Sequence, residues 1–139
     1  MTLEPQDKKN LSDLRIDKAY KSLNDAKANF NEGRFETSVN RSYYAILTAV
    51  RSILILEGAD PKTHDGAITM FSLRFVRTGI LPKDHIKKLE ILHSRRTDVD
   101  YGDIEIVERA DAEDSLKIAE KLIEEIDRVR KKLIVSLNS

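Results

Sequence analysis

Long segments of the chain place apolar residues at alternating steps of three and four, the spacing of helices that bury one side. Ile16, Ala19, Leu23, Ala26 and Phe30 form the first such stripe. It ends at "NEGR" (31–34), where Gly33 suits a left-handed C-terminal position. A second helix is expected from about Phe35 to Glu57, with Phe35, Val39, Ile46, Val50, Ile53 and Leu54 on one side. Tyr43, Tyr44, Ala45 and Leu47 widen that side, so this helix should be the most buried. Gly58 and Pro61 break it.

A third helix, roughly 63–78, carries Ile68, Phe71, Leu73, Phe75 and Val76. A fourth starts after Pro82, with Lys83 or Asp84 in its first turn, and uses Ile86, Leu89, Leu92 and Val99. The stretch "YGDIEIVERADAED" is read as a connection, its "IEIV" too short for a strand, and Asp111 as a cap for the last helix. There Leu116, Ala119, Ile123, Ile126, Leu133 and Leu137 repeat, with Val129 or Arg130 filling the gap. The expected fold is all-α: an antiparallel bundle of four long helices plus one shorter helix. Residues 1–10, polar and containing Pro5, read as a flexible tail, and 11–139 as a single domain.

Composition narrows the function classes. Gly (5) and Pro (3) are too scarce for a turn-rich β-fold. Lys+Arg and Asp+Glu both number 24, which argues against non-specific coating of nucleic acid but leaves room for a local phosphate site. The absence of cysteine removes disulfides, thiolate metal sites and a cysteine nucleophile. No apolar run approaches a membrane span and the N-terminus lacks a signal-peptide core, so a cytoplasmic protein off the membrane is expected. The three histidines show no paired spacing for a metal, and no glycine-rich loop or nucleophile elbow implies a cofactor or hydrolase. His85, three residues after Pro82, is expected at the surface.

One polar set stands on the wrong side. On helix four, His93, Arg96 and Asp100 continue the stripe begun by Ile86 and Leu89, and so should face inward. Arg96 and Asp100, four apart, are spaced to pair, which could aim a planar guanidinium at a phosphate. The plainer alternative is a helix end emerging into solvent, where Arg95 and Arg96 meet the negative end of the dipole. On helix two, Arg41 and Tyr44 lie three apart beside Tyr43, whose ring suits the core. His64, in "KTHDG", reads as a helix-start or surface residue taken alone.

Taken together, these segments resemble the HEPN family (higher eukaryotes and prokaryotes nucleotide-binding). The resemblance rests on an R-x-YYA segment (Arg41, Tyr43, Tyr44, Ala45), a K-[ST]-H-x-G stretch (Lys62, Thr63, His64, Gly66), and an arginine followed after three residues by Asp-Tyr (Arg96, Asp100, Tyr101). It spans about residues 12–135. It implies a five-helix bundle, commonly a homodimer, whose gene is often paired with a minimal nucleotidyltransferase in a toxin–antitoxin module. Many members are metal-independent ribonucleases with an R-x(4-6)-H motif, in which arginine stabilises phosphate charge and histidine moves the 2′-hydroxyl proton. Here no histidine falls in that window after Arg95 or Arg96, and Asp100 and Tyr101 have ordinary pKa values far from neutrality.

Three functions follow. The first is a HEPN-type partner of a nucleotidyltransferase that binds a nucleotide or RNA phosphate near Arg96. Arg41, Tyr44, His64 and Arg95 would assist binding, and Tyr101 would be a candidate acceptor for nucleotide transfer. The second is a ribonuclease toxin with an altered catalytic set drawn from Arg96, Asp100 and Tyr101. The third is an interaction bundle in which the polar motif only ties helix four to helix two.

Overall fold

In the computed structural model, which describes residues 3–101 and 107–137, every element is helical. The helices are α1 (Pro5–Asn31), α2 (Phe35–Leu54), α3 (His64–Phe71), α4 (Asp84–Tyr101) and α5 (Arg109–Leu137). A 3-10 turn, Ile55–Glu57, extends α2, and a π-helical turn, Ser72–Val76, extends α3. Segment 104–106 of "IEIV" and the side chain of Tyr101 lie outside the described residues.

Pro5 stands at the start of α1, where its missing N–H costs no hydrogen bond. The helix therefore begins inside the stretch read as a tail, because a first-turn proline starts helices as readily as it interrupts them. The α1–α2 reversal takes three residues: Gly33 adopts φ 77° and Arg34 N donates to Asn29 O at 2.8 Å. So short a connection makes α1 and α2 antiparallel neighbours.

α2 is the hub and touches each of the other four helices. Small residues let the backbones approach closely: Ala19 and Ala26 on α1, and Ser38, Ser42, Ala45 and Ala49 on α2, are fully buried. Ser38 Oγ offsets its burial by donating to Ala26 O at 2.8 Å. Around α2 the core is filled by Ile46, Ile53, Leu54, Phe71, Phe75, Leu89, Leu92, Leu122, Ile123 and Ile126.

Among the described residues, charged groups enter the core at two places. Between α1 and α5, Arg130 is 7% exposed; its Nε donates to Asp127 at 2.9 Å and its Nη1 to Asp13 at 2.7 Å. Tyr20 donates its hydroxyl to the other Asp127 oxygen at 3.0 Å. Burial, aided by that carboxylate, pushes the Tyr20 hydroxyl up to about 12. Between α4 and α5, His85 is 1% exposed, with Nε2 against Glu125 and Nδ1 3.3 Å from Asp84. The surface position expected for His85 is thus overturned: its ring lies under α5, whose partner carboxylate is 40 residues away in sequence. Two smaller expectations also shift. Asp111 lies in the first turn of α5 rather than ahead of it, and Leu73 is half exposed because the π-helical turn changes the phase of α3's stripe.

Candidate functional site

Where α2 crosses α4, their polar residues meet. On α2, Asn40, Tyr43 and Tyr44 are related by three and four residues and share a side. On α4, His93, Arg96 and Asp100 continue the stripe that begins with the buried Leu89. The Arg96 side chain is 13% exposed. Its Nε lies 2.9 Å from Asp100 Oδ2, and its Nη2 donates to the Tyr44 hydroxyl at 2.6 Å. Its guanidinium carbon stands 5.3 Å from the Tyr44 ring centroid and 5.7 Å from that of Tyr43, within cation–π range. A rotamer-rich side chain is thereby held from several directions.

Arg41 approaches the same ring, with its guanidinium carbon 5.3 Å from the Tyr44 centroid. Asn40 bonds both to Arg41 and to Asp100. The third contributor is α3. Thr63 caps it, accepting from Gly66 N at 2.9 Å, which sets His64 in the first turn facing α2. The His64 ring is 5.8 Å from Tyr44 and 6.0 Å from Tyr43, and the His93 ring is 5.4 Å from Tyr43.

The electrostatics follow from this crowding. Partial burial, with the nearby guanidiniums of Arg96 and Arg51 and the imidazole of His93, holds His64 below its ordinary 6.5, and Asp65 opposes them only in part. His64 is therefore neutral at pH 7. Burial pushes the Tyr43 hydroxyl up to about 12 although Arg96 pulls the other way, so this phenol stays protonated. The cluster contributes two guanidiniums, one carboxylate and two imidazoles, a local positive excess inside a chain of zero formal net charge.

Of the residues singled out in the sequence, the structure brings Arg41, Tyr44, His64, Arg96 and Asp100 together. It takes Arg95 elsewhere: the side chain donates to Asp114 at 2.8 Å and to Ser115 Oγ at 3.0 Å, tying α4 to α5. Neighbours on a helix point about 100° apart, and here that turn directs Arg95 to α5 and Arg96 to α2. Tyr101 is the last residue of α4, and its side chain lies outside the described residues. The residue missed was Asn40. An asparagine on a helix carries no periodic signal, and only its offset of four from Tyr44 could have flagged it.

Residues of the R-x-YYA and K-[ST]-H-x-G segments and the Arg96–Asp100 pair thus meet at one helix crossing of an all-α bundle. The HEPN domain family model matches residues 12–129, and the chain belongs to that family. A "UPF0332 protein" of Archaeoglobus fulgidus is 35% identical over 112 residues, covering 81% of this chain and 89% of its own. A Methanocaldococcus jannaschii protein named "putative toxin" is 29% identical over 119 residues, covering 86% of this chain and 88% of its own. The crystal structure of TT1696 from Thermus thermophilus shares the fold, with a TM-score of 0.72 at 16% identity, over 84% of this chain and 96% of that one.

Proposed function

We propose that this chain is a toxin-class HEPN protein that receives a phosphate of RNA or of a nucleotide at Arg96. In this reading it works as a homodimer with a separately encoded minimal nucleotidyltransferase as antitoxin. The toxin name of the Methanocaldococcus relative supports the class. The observation that carries the site is the fixed guanidinium of Arg96, held by Asp100 and the Tyr44 hydroxyl beside a second arginine. A preorganised planar fork binds phosphate oxygens without first losing side-chain freedom.

Titration of the full chain with a short RNA and with AMP, followed by amide chemical shifts, tests this. Arg96→Ala should weaken binding at least about tenfold, the loss of one charge-assisted contact. Arg95→Ala should leave binding unchanged, because Arg95 is committed to Asp114. Equal losses from the two variants would refute the assignment.

A second reading, metal-independent RNA cleavage, is favoured by one observation. His64 shares the Tyr44 ring with Arg96 and is neutral at pH 7, the form that can accept a 2′-hydroxyl proton. Cleavage of RNA in EDTA that disappears with both Arg96→Ala and His64→Ala would establish it. RNA left intact by the wild-type chain would exclude it.

A further inference from the structure

Asn40 forms a bonded path between Arg41 and the Asp100 carboxylate that holds Arg96. Its Nδ2 donates to both oxygens of Asp100, at 3.1 and 3.2 Å. Its Oδ1 accepts from Arg41 Nε at 3.0 Å and from Arg41 Nη2 at 2.6 Å. This arrangement fixes the amide's orientation. Rotating it by half a turn would set oxygen against the carboxylate oxygens and N–H groups against a guanidinium, losing all four contacts.

The consequence is electrostatic as well as geometric. Arg41 and Arg96 each stand 5.3 Å from the Tyr44 centroid, so two like charges converge on one ring. Asp100 lies beside Arg96 and offsets its charge directly. Arg41 reaches the carboxylate through the amide of Asn40. A lone arginine on a half-buried helix face would otherwise sample many rotamers.

We infer that Asn40 is a positioning residue that couples Arg41 to Arg96, so that the two guanidiniums receive one anion as a unit. The inference rests on the reading that a phosphate binds at Arg96. It deepens that reading by specifying the ligand chemistry: a phosphate group, or linked phosphates, with oxygens enough for two planar forks rather than one. Asn40 touches neither the ligand nor a reacting atom and acts through Arg41 and Asp100.

Two measurements on the full chain test it. The first needs no ligand: the Nε–H resonances of Arg41 and Arg96 in the wild type, Asn40→Ala and Asn40→Asp. Asn40→Ala should shift both resonances. Asn40→Asp sets a carboxylate against Asp100 and gives Arg41 a charged acceptor in place of an amide oxygen, so it should shift both resonances as well. An Arg96 resonance unmoved in Asn40→Ala would overturn the inference, whatever that variant's melting temperature.

The second is a double-mutant cycle on inorganic pyrophosphate affinity, with Arg41→Ala, Arg96→Ala and both, in the wild-type and Asn40→Ala backgrounds. The combined loss should differ from the product of the single losses by at least about threefold in the wild type, and match it in Asn40→Ala. Independent losses in the wild type, or coupling that persists without Asn40, would overturn the inference. Wild-type protein that binds neither pyrophosphate nor RNA would instead refute the phosphate reading at Arg96, and the resonance measurement would still decide the role of Asn40.

Discussion

Replacing Arg130 with methionine should destabilise the fold by about 3 kcal/mol, the lower end of what breaking a buried ion pair costs. The lower end applies because neither carboxylate is left bare. Asp127 keeps the Tyr20 hydroxyl at 3.0 Å and Lys131 at 3.6 Å, and Asp13 keeps Lys9 at 2.8 Å. What is lost is the charge that links α1 to α5, on a side chain 9% exposed, and methionine fills most of its volume. An unfolding entropy of about 2.1 cal/mol/K per residue gives about 0.29 kcal/mol/K for 139 residues, so the melting temperature should fall by about 10 °C.

Thermal and urea unfolding followed by circular dichroism at pH 7 would measure the difference. Its pH dependence has a defined sign. Burial tends to raise Asp13, but hydrogen bonds from Lys9 and Arg130 outweigh it and hold its pKa below 3.8. A carboxyl depressed on folding contributes stability above its unfolded pKa and loses it as pH falls through the folded one. The gap between wild type and Arg130→Met should therefore narrow below pH 3.8. A loss under about 1 kcal/mol at pH 7, or a gap that widens in acid, would refute the view that Arg130 holds α1 against α5 through its charge.

Other outcomes follow from the site. Thr63→Ala should cost about 1 kcal/mol as a lost helix cap. Gly66→Ala should disturb the same cap, since its Cβ would stand 2.8 Å from Thr63 Oγ1 and 3.2 Å from Pro61 Cβ, so its cost should shrink but not vanish in the double variant with Thr63→Ala. For His64, whose pKa is lowered on folding, the unfolded chain binds the proton first. Stability should thus rise with pH between the folded value and 6.5 and be complete above it. His64→Gln should flatten that part of the pH–stability curve, and an unchanged slope would show that another group titrates there.

The sequence by itself determined the helices, their order and the burial of α2. These depend on local spacing, and apolar residues at steps of three and four leave a helix one stable way to lie against its neighbours. It also disclosed Arg41, Tyr44, His64, Arg96 and Asp100, because family-like segments and a stripe turning polar at His93 are properties of one chain read along its length. Tertiary structure decided which faces meet. Arg95 and Arg96 are adjacent in sequence, yet one pairs with α5 and the other with α2. His85 looked exposed until α5 brought Glu125 over it, and Arg130, read as one of two residues filling a gap in an apolar stripe, found its partners Asp13 and Ser12 only on α1. Asn40 gained its place only from Asp100, 60 residues away. Periodicity fixes the side of a helix that a residue occupies; the partner on that side is fixed by how whole helices pack, and no local spacing encodes it.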